Sequence, residues 1–219
     1  PQPPAGHRRR NRLRHRVSED GTVIAVNLGW DGVDLAGQMQ EQFSVPVTVT
    51  SISAAIIGSE MQSSRDLTPS SIMALFADDS IGCAISTADG VHPIRVQRRE
   101  LTTSGLIDNI GSPKIRSLAD AVEDSSAGTR AALDERARGL GSLVAELSGE
   151  YSPDTVVVAG SAFNEDPRST APFVRTVRKK STTPPALRMI PTHKEIVRDI
   201  SRAVALDFVL REPLAVAAG

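Results

Sequence analysis

Between Asn27 and Glu60 the chain reads NLGWDGVDLAGQMQEQFSVPVTVTSISAAIIGSE, and its periodicity changes three times within that stretch. LGWDG has the composition of a turn. Val33, Leu35, Met39 and Phe43 then recur at roughly helical spacing, and SVPVTVT follows as a β-branched run too rich in Val and Thr for a helix. Ser51 and Ser53 stand where a side-chain oxygen would cap a small-residue helix over Ala54–Met61. A helix that feeds a buried strand, which feeds another helix, defines an α/β fold. Such a fold places its binding edge at the carboxyl end of the strand, here near Thr50–Ser53.

The flanking segments continue the alternation. Thr22–Val26 is the first predicted strand, after the turn signal Glu19-Asp20-Gly21. Beyond Glu60, Gln62–Ser70 reads as a loop. SIMALFA (Ser71–Ala77) and IGCAIST (Ile81–Thr87) read as strands around an Asp78-Asp79-Ser80 turn, with a second turn at Ala88-Asp89-Gly90. Val91–Gly111 carries no clear period. From Ser112 the pattern is helical: Ile115, Leu118, Ala119 and Val122 share one face, and Leu133, Ala137, Leu140, Val144 and Leu147 mark a long amphipathic helix. Gly139 and Gly141 in that helix predict close packing against a sheet. Tyr151-Ser152-Pro153 ends it, and Thr155–Ala159 is a buried strand followed by Gly160-Ser161. Thr170–Lys180 and His193–Arg211 read as helices around a strand at Ala186–Ile190. The run Arg175, Arg178, Lys179 and Lys180 suits the negative end of a helix dipole, and His193 stands in a capping region.

Composition removes several function classes. A chain of 219 residues with 40% hydrophobic content buries a sizeable core. One cysteine, Cys83, excludes an internal disulfide framework and a cysteine zinc cage, so a reducing cytoplasm is the expected setting. A net charge of −1 supplies no global attraction to nucleic acid or membrane. No apolar run approaches the roughly 20 residues that span a bilayer, and no signal peptide is recognisable. Residues 1–19, with six arginines from Arg8 to Arg16, read as a basic, disordered leader or linker, and residues 212–219 as a flexible tail. No G-x-S-x-G elbow links the chain's Ser, His and Asp residues into hydrolase chemistry.

Leu28-Gly29-Trp30, the Val45-Pro46-Val47 run and the small-residue helix ending in Glu60 resemble the ROK group of sugar kinases and sugar-responsive repressors. The resemblance continues at the helix around Arg138–Leu147 and at VVVAGSAF, and covers about residues 20–211. It implies an actin/hexokinase-like (ribonuclease H-like) lobe: α/β, with a mixed sheet flanked by helices and an incomplete first lobe. In that family an N-D-x-N segment follows the strand, and its Asp deprotonates the sugar hydroxyl. Here the first Asn falls on Ser51, the Asp on Ile52 and the second Asn on Ala54. Ile52 accepts no proton, so the resemblance implies no catalytic residue, while Ser51, Ser53, Glu60 and Glu100 remain as ligand-binding candidates.

The family's glycine-rich phosphate turn aligns with Asp78, Asp79, Ser80, Ile81 and Gly82, which would bring two carboxylates toward a nucleotide phosphate. Its second glycine pair, beside the adenosine, aligns with Gly160 and Ser161. The zinc cysteines are missing and His92 has no partner ligand nearby, so no metal and no cofactor are expected. The resemblance therefore implies a catalytically inactive, effector-sensing and dimerising domain of a bacterial ROK-type transcriptional regulator. Its partners would be a small sugar or sugar-phosphate effector and a second copy, with DNA contacted only through a part outside this chain and no membrane. A divergent ATP-dependent sugar kinase and a ligand-free structural dimerisation module are the alternatives.

Overall fold

The computed structural model describes residues 15–18, 21–25, 28–43, 47–63, 71–191 and 194–211. They fall into two compact units, one ending at Thr50 and the other beginning at Ser51. Predictions on residues 1–14, the tail 212–219, the capping role of His193 and most of the 62–70 loop lie outside the described residues.

The first unit is a three-stranded antiparallel sheet, β1 (His15–Val17), β2 (Thr22–Ala25) and β3 (Trp30–Asp34), followed by α1 (Leu35–Phe43). His15–Val17, assigned above to a disordered leader, pairs with β2 and is a strand. Trp30–Asp34 is likewise a strand rather than a turn, which puts Val33 opposite Val23 in the sheet and not on the helix. The helical period begins at Leu35. Asp34 sets that boundary, because its Oδ1 accepts the Gly37 N–H at 2.9 Å and so satisfies an orphan donor of the first turn. Residues 47–50 form no strand, so the expected β-branched strand has no ladder partner over its described part.

The second unit is a five-stranded mixed sheet in the order β6-β5-β4-β7-β8. β4 (Ile72–Ala77) and β7 (Thr155–Ala159) occupy the middle as a parallel pair, and both are almost wholly buried, as continuous apolar runs in α/β sheets are. β5 (Ile81–Thr87) turns back beside β4, and β6 (Gly90–Ile94) extends that edge in a segment whose period was unreadable. β8 (Ala186–Met189) closes the other edge parallel to β7.

Helices cover both faces. α2 (Ile52–Ser63) and α8 (Lys194–Arg211) pack Ala55, Ile56, Ile57 and Ile200 against Ile72, Ala74, Ala84, Val157 and Ala159. On the opposite face α5 (Ala127–Tyr151), α6 (Ser161–Asn164) and α7 (Thr170–Lys180) meet Met73, Leu75, Ala77, Cys83, Val156 and Val158. Phe163 and Phe173 meet there edge to face, their ring centroids 5.0 Å apart. Each fully buried side chain of that size contributes about 1.5–3 kcal/mol by leaving water. α3 (Thr103–Ile110) and α4 (Leu118–Glu123) form a satellite cluster with Leu133 of α5.

Gly141 departs from its expected role. A β-carbon there would stand 2.7 Å from the Phe173 carbonyl oxygen and 2.9 Å from Thr176 Cβ, so the glycine lets α5 approach α7 and not the sheet. Gly139 abuts the Leu101 side chain in the same way. The start of α5 is fixed to the α6–α7 connection by a forked ion pair, with Arg130 donating to Asp166 at 2.9 and 2.7 Å. Asp166 is 1% exposed and also accepts from the Ser169 hydroxyl.

Burial pushes the Asp166 carboxyl upward, but the Arg130 fork and Ser169 outweigh it and hold the group below the usual carboxylate range. A carboxyl depressed in the folded state contributes stability that is complete above its unfolded pKa, about 4, and that is lost as pH falls through the folded value. The expected result is that Asp166→Asn lowers stability at pH 7 and makes the urea midpoint fall less between pH 5 and pH 3 than in the parent. An unchanged acid slope would show that Asp166 is not one of the groups titrating there.

Candidate functional site

The carboxyl ends of β4 and β7, with the start of β5, form one edge of the sheet, and several sequence candidates converge on it. Ser51 caps α2: its Oγ accepts the Ala54 N–H at 3.2 Å and its carbonyl accepts the Ala55 N–H at 2.9 Å. Its Oγ also lies 3.2 Å from Ser53 Oγ, and Ser53 Oγ would stand 3.4 Å from a β-carbon placed on Gly82. Gly82 in turn pairs with Phe76 across the β4–β5 ladder. Half-buried Ser51, Ser53 at 2% exposure and the half-buried Gly82 backbone therefore meet at the N-terminus of α2. Ile52, at the position of the family's base, is the first residue of α2 and brings no proton acceptor.

The next corner holds the aligned nucleotide-loop positions. Asp78 is half-buried and Asp79 exposed in a turn closed by the Asp78 N–H, which donates to the Ser80 carbonyl at 3.0 Å. The Asp78 carboxylate accepts the Ser161 hydroxyl at 2.5 Å, so the loops that follow β4 and β7 are joined side chain to side chain. Gly160 bridges them with φ +115°, and a β-carbon there would fall 2.1 Å from the Ala77 carbonyl oxygen. The glycine is thus required by the packing of two strand ends, whatever lies beyond them.

Beneath this loop sits Arg136, which the sequence candidates did not include. It is 5% exposed; its Nε donates to the Leu101 carbonyl at 2.8 Å and its Nη2 to the Asp78 carbonyl at 3.0 Å. Thr103 Oγ1 donates to the same Asp78 oxygen at 3.1 Å. Burial pushes the guanidinium down to about 10, against the pull of Asp78 and Asp79, and leaves it charged at neutral pH. One signal was present in the sequence: Arg136 stands three residues after Leu133 and four before Leu140, within the apolar stripe of its helix.

Glu60 and Glu100 are not brought to this edge. Glu60 lies two turns along α2 from Ser53, about 10 Å by helical rise. Its carboxylate, 13% exposed, pairs with Arg188 of β8 beside a cavity of about 280 Å³ that also involves Ile56 and Ile200. Glu100 is exposed in the 3-10 turn Arg99–Leu101 on the α5 side of the sheet, 3.9 Å from Arg98. Burial pushes the Cys83 thiol up to about 12, which leaves it inert as a nucleophile or ligand. Among the described residues no group of three or more His, Cys, Asp or Glu is arranged to hold a metal, and no helix is long and apolar enough to cross a membrane.

A helix-flanked mixed sheet with its polar corner at the carboxyl ends of parallel strands defines an α/β fold. The chain has the fold of the ROK proteins within that class, as comparison with solved structures shows. A ROK family transcriptional regulator, a homologue of the Escherichia coli MLC protein, superposes with a TM-score of 0.66 at 14% identity over 91% of this chain and 63% of its own. A ROK family glucokinase from Streptomyces griseus, in complex with glucose and AMPPNP, gives 0.62 at 15% identity over 78% of this chain and 71% of its own. Transcriptional regulators of Mycobacterium tuberculosis and Mycobacterium bovis are 29% identical to this chain over 69% of its length. The chain spans 44% of the length of these curated relatives. No family model matches it.

Proposed function

We propose that the chain is the effector-sensing and dimerising domain of a cytoplasmic, ROK-type bacterial transcriptional regulator without kinase activity. The observation that carries this is the corner at the head of α2, where Ser51, Ser53 and Gly82 meet and the residue at the family's base position is Ile52. The half-buried Ser51 hydroxyl at the N-terminus of α2 suits a hydroxylated ligand, and a sugar hydroxyl bound there meets no base on Ile52. Similarity to regulators in both sequence and fold supports the same assignment. The effector, a sugar or sugar phosphate, would favour one arrangement of the dimer and so change the affinity for DNA of a part elsewhere in the longer protein.

A second reading has one observation in its favour: Asp78 is a carboxylate beside Gly160, as a divergent sugar kinase with a displaced base would need. Its engagement by Ser161 and the exposed Asp79 next to it oppose the approach of a phosphate. A thermal-shift titration separates the two. The melting temperature is expected to rise with at least one member of a panel of sugars and sugar phosphates and to stay constant with ATP–Mg. A site filled to a hundred times its dissociation constant contributes about 2.7 kcal/mol. Stabilisation by ATP–Mg would favour the kinase, and no response to any compound would favour a ligand-free dimerisation module.

A further inference from the structure

The net charge near zero conceals a segregation. From Pro167 to Pro191 the chain carries six Lys or Arg and no Asp or Glu. Four of those cations, Arg175, Arg178, Lys179 and Lys180, stand on α7 and are all exposed. At 100° per residue, Arg175, Arg178 and Lys179 share an arc of about 100°. That arc lies opposite Phe173 and Val177, which are fully buried against the core. Arg98 pairs with Glu146, Arg99 with Asp108 and Arg130 with Asp166, and within the segment itself Arg188 pairs with Glu60, whereas the exposed Arg95, Arg116, Arg138 and Arg168 form no such pair among the described residues. No carboxylate pairs with any of the four α7 cations among the described residues. The helix dipole accounts for cations in the last turn, Arg178 to Lys180, but not for Arg175 before it.

We propose that this face of α7 binds the phosphate backbone of duplex DNA. A rigid row of cations without interleaved apolar groups suits a polyanion. A bilayer surface asks for exposed apolar residues beside the cations, and a protein interface for aromatic anchors, and α7 exposes neither. Phosphate contact without base contact fixes a protein on the duplex and carries no sequence information, so the face would anchor a regulator whose operator is read elsewhere. The choice of DNA over RNA rests on the regulator assignment above.

The test is fluorescence anisotropy of the full chain on a labelled, mixed-sequence DNA duplex at increasing salt. Neutralising three phosphates gives a slope of log affinity against log salt of about −2.7. The R175Q/R178Q/K179Q variant is expected to lose at least tenfold in affinity at low salt and to flatten the slope by that amount. R175K/R178K, which keeps the charge, is expected to retain both, and circular dichroism checks that each variant folds. Replacing Arg8, Arg9, Arg10, Arg12, Arg14 and Arg16 with Gln removes the other basic segment and should leave the α7-dependent part intact.

An α7 variant that binds like its parent would overturn the proposal. So would a parent with no affinity for duplex, or one that prefers single-stranded RNA or phosphatidylserine vesicles. A chain that binds duplex through α7 but answers to no sugar would sink the sensor assignment alone. One that answers to a sugar but ignores duplex would sink only the α7 proposal.

Discussion

Replacing Gly160 with alanine is expected to destabilise the protein by on the order of 4 kcal/mol or to prevent folding altogether. Two effects add. The residue has φ +115°, which a side chain rarely adopts, and its β-carbon would lie 2.1 Å from the Ala77 carbonyl oxygen and 2.6 Å from the carbonyl carbon. Ala77 cannot retreat, because β4 is paired on one side with β5 and on the other with β7. Gly149→Ala is the control. It lies exposed in α5 with no atom within 4 Å of the added carbon, and the change should be neutral or stabilise by up to about 1 kcal/mol. Urea unfolding of both variants decides the matter, and a Gly160→Ala protein within 1 kcal/mol of its parent would refute the close approach of the strand ends.

Arg136→Met carries the second large effect. Methionine keeps much of the volume of the aliphatic stem but offers no donor, so the Leu101 carbonyl loses its Nε partner and the Asp78 carbonyl keeps only Thr103. Leaving buried polar groups short of partners costs about 1–3 kcal/mol each, which places the expected loss at about 3–5 kcal/mol in guanidinium denaturation. Arg136→Lys should recover only part of it, since a single ammonium cannot reproduce the fork that reaches two loops. Arg138→Met, two residues on and exposed, is expected to change stability by less than about 0.5 kcal/mol. Similar losses at positions 136 and 138 would mean that the two carbonyls find other donors.

Much of the fold was legible because its central elements are locally consistent. Ile81–Thr87, Thr155–Ala159 and Thr170–Lys180 have in the structure the bounds their patterns predict, since β-branched runs and a helical stripe with clear stops leave little choice. Where neighbours decide, the pattern misled. Trp30–Asp34 has turn-like composition yet is held as a strand by β2, and the β-branched run after Phe43 has no strand partner over its described residues. Strand β6 was hidden by Pro93, which an edge position tolerates.

Of the candidate site, Ser51, Ser53, Gly82, Asp78 and Ser161 were each picked out singly by alignment or capping chemistry, but their meeting was not, and the strand expected to lead to Ser51 is absent over its described residues. The contacts of Ser53 with Gly82 and of Asp78 with Ser161 join residues 29 or more positions apart, beyond the reach of local pattern. Glu60 and Glu100 carry the right chemistry at the wrong ends of their elements, and distance along a helix or across a sheet is what a resemblance in sequence leaves out.

The pairing of β4 with β7 has a bearing on how the protein is made. Ala77 and Thr155 bound a separation of 78 residues (155 − 77), so the middle of the sheet is closed by a contact between distant parts of the chain. Closing such a loop costs chain entropy before any ladder bond repays it, and sheets that depend on non-local pairs form slowly. During synthesis the apolar strands β4 and β5 emerge well before their parallel neighbour, with one side of β4 unpaired until β7 arrives. Until β7 is made, the β4–β5 hairpin therefore carries an unpaired apolar edge open to association with other chains.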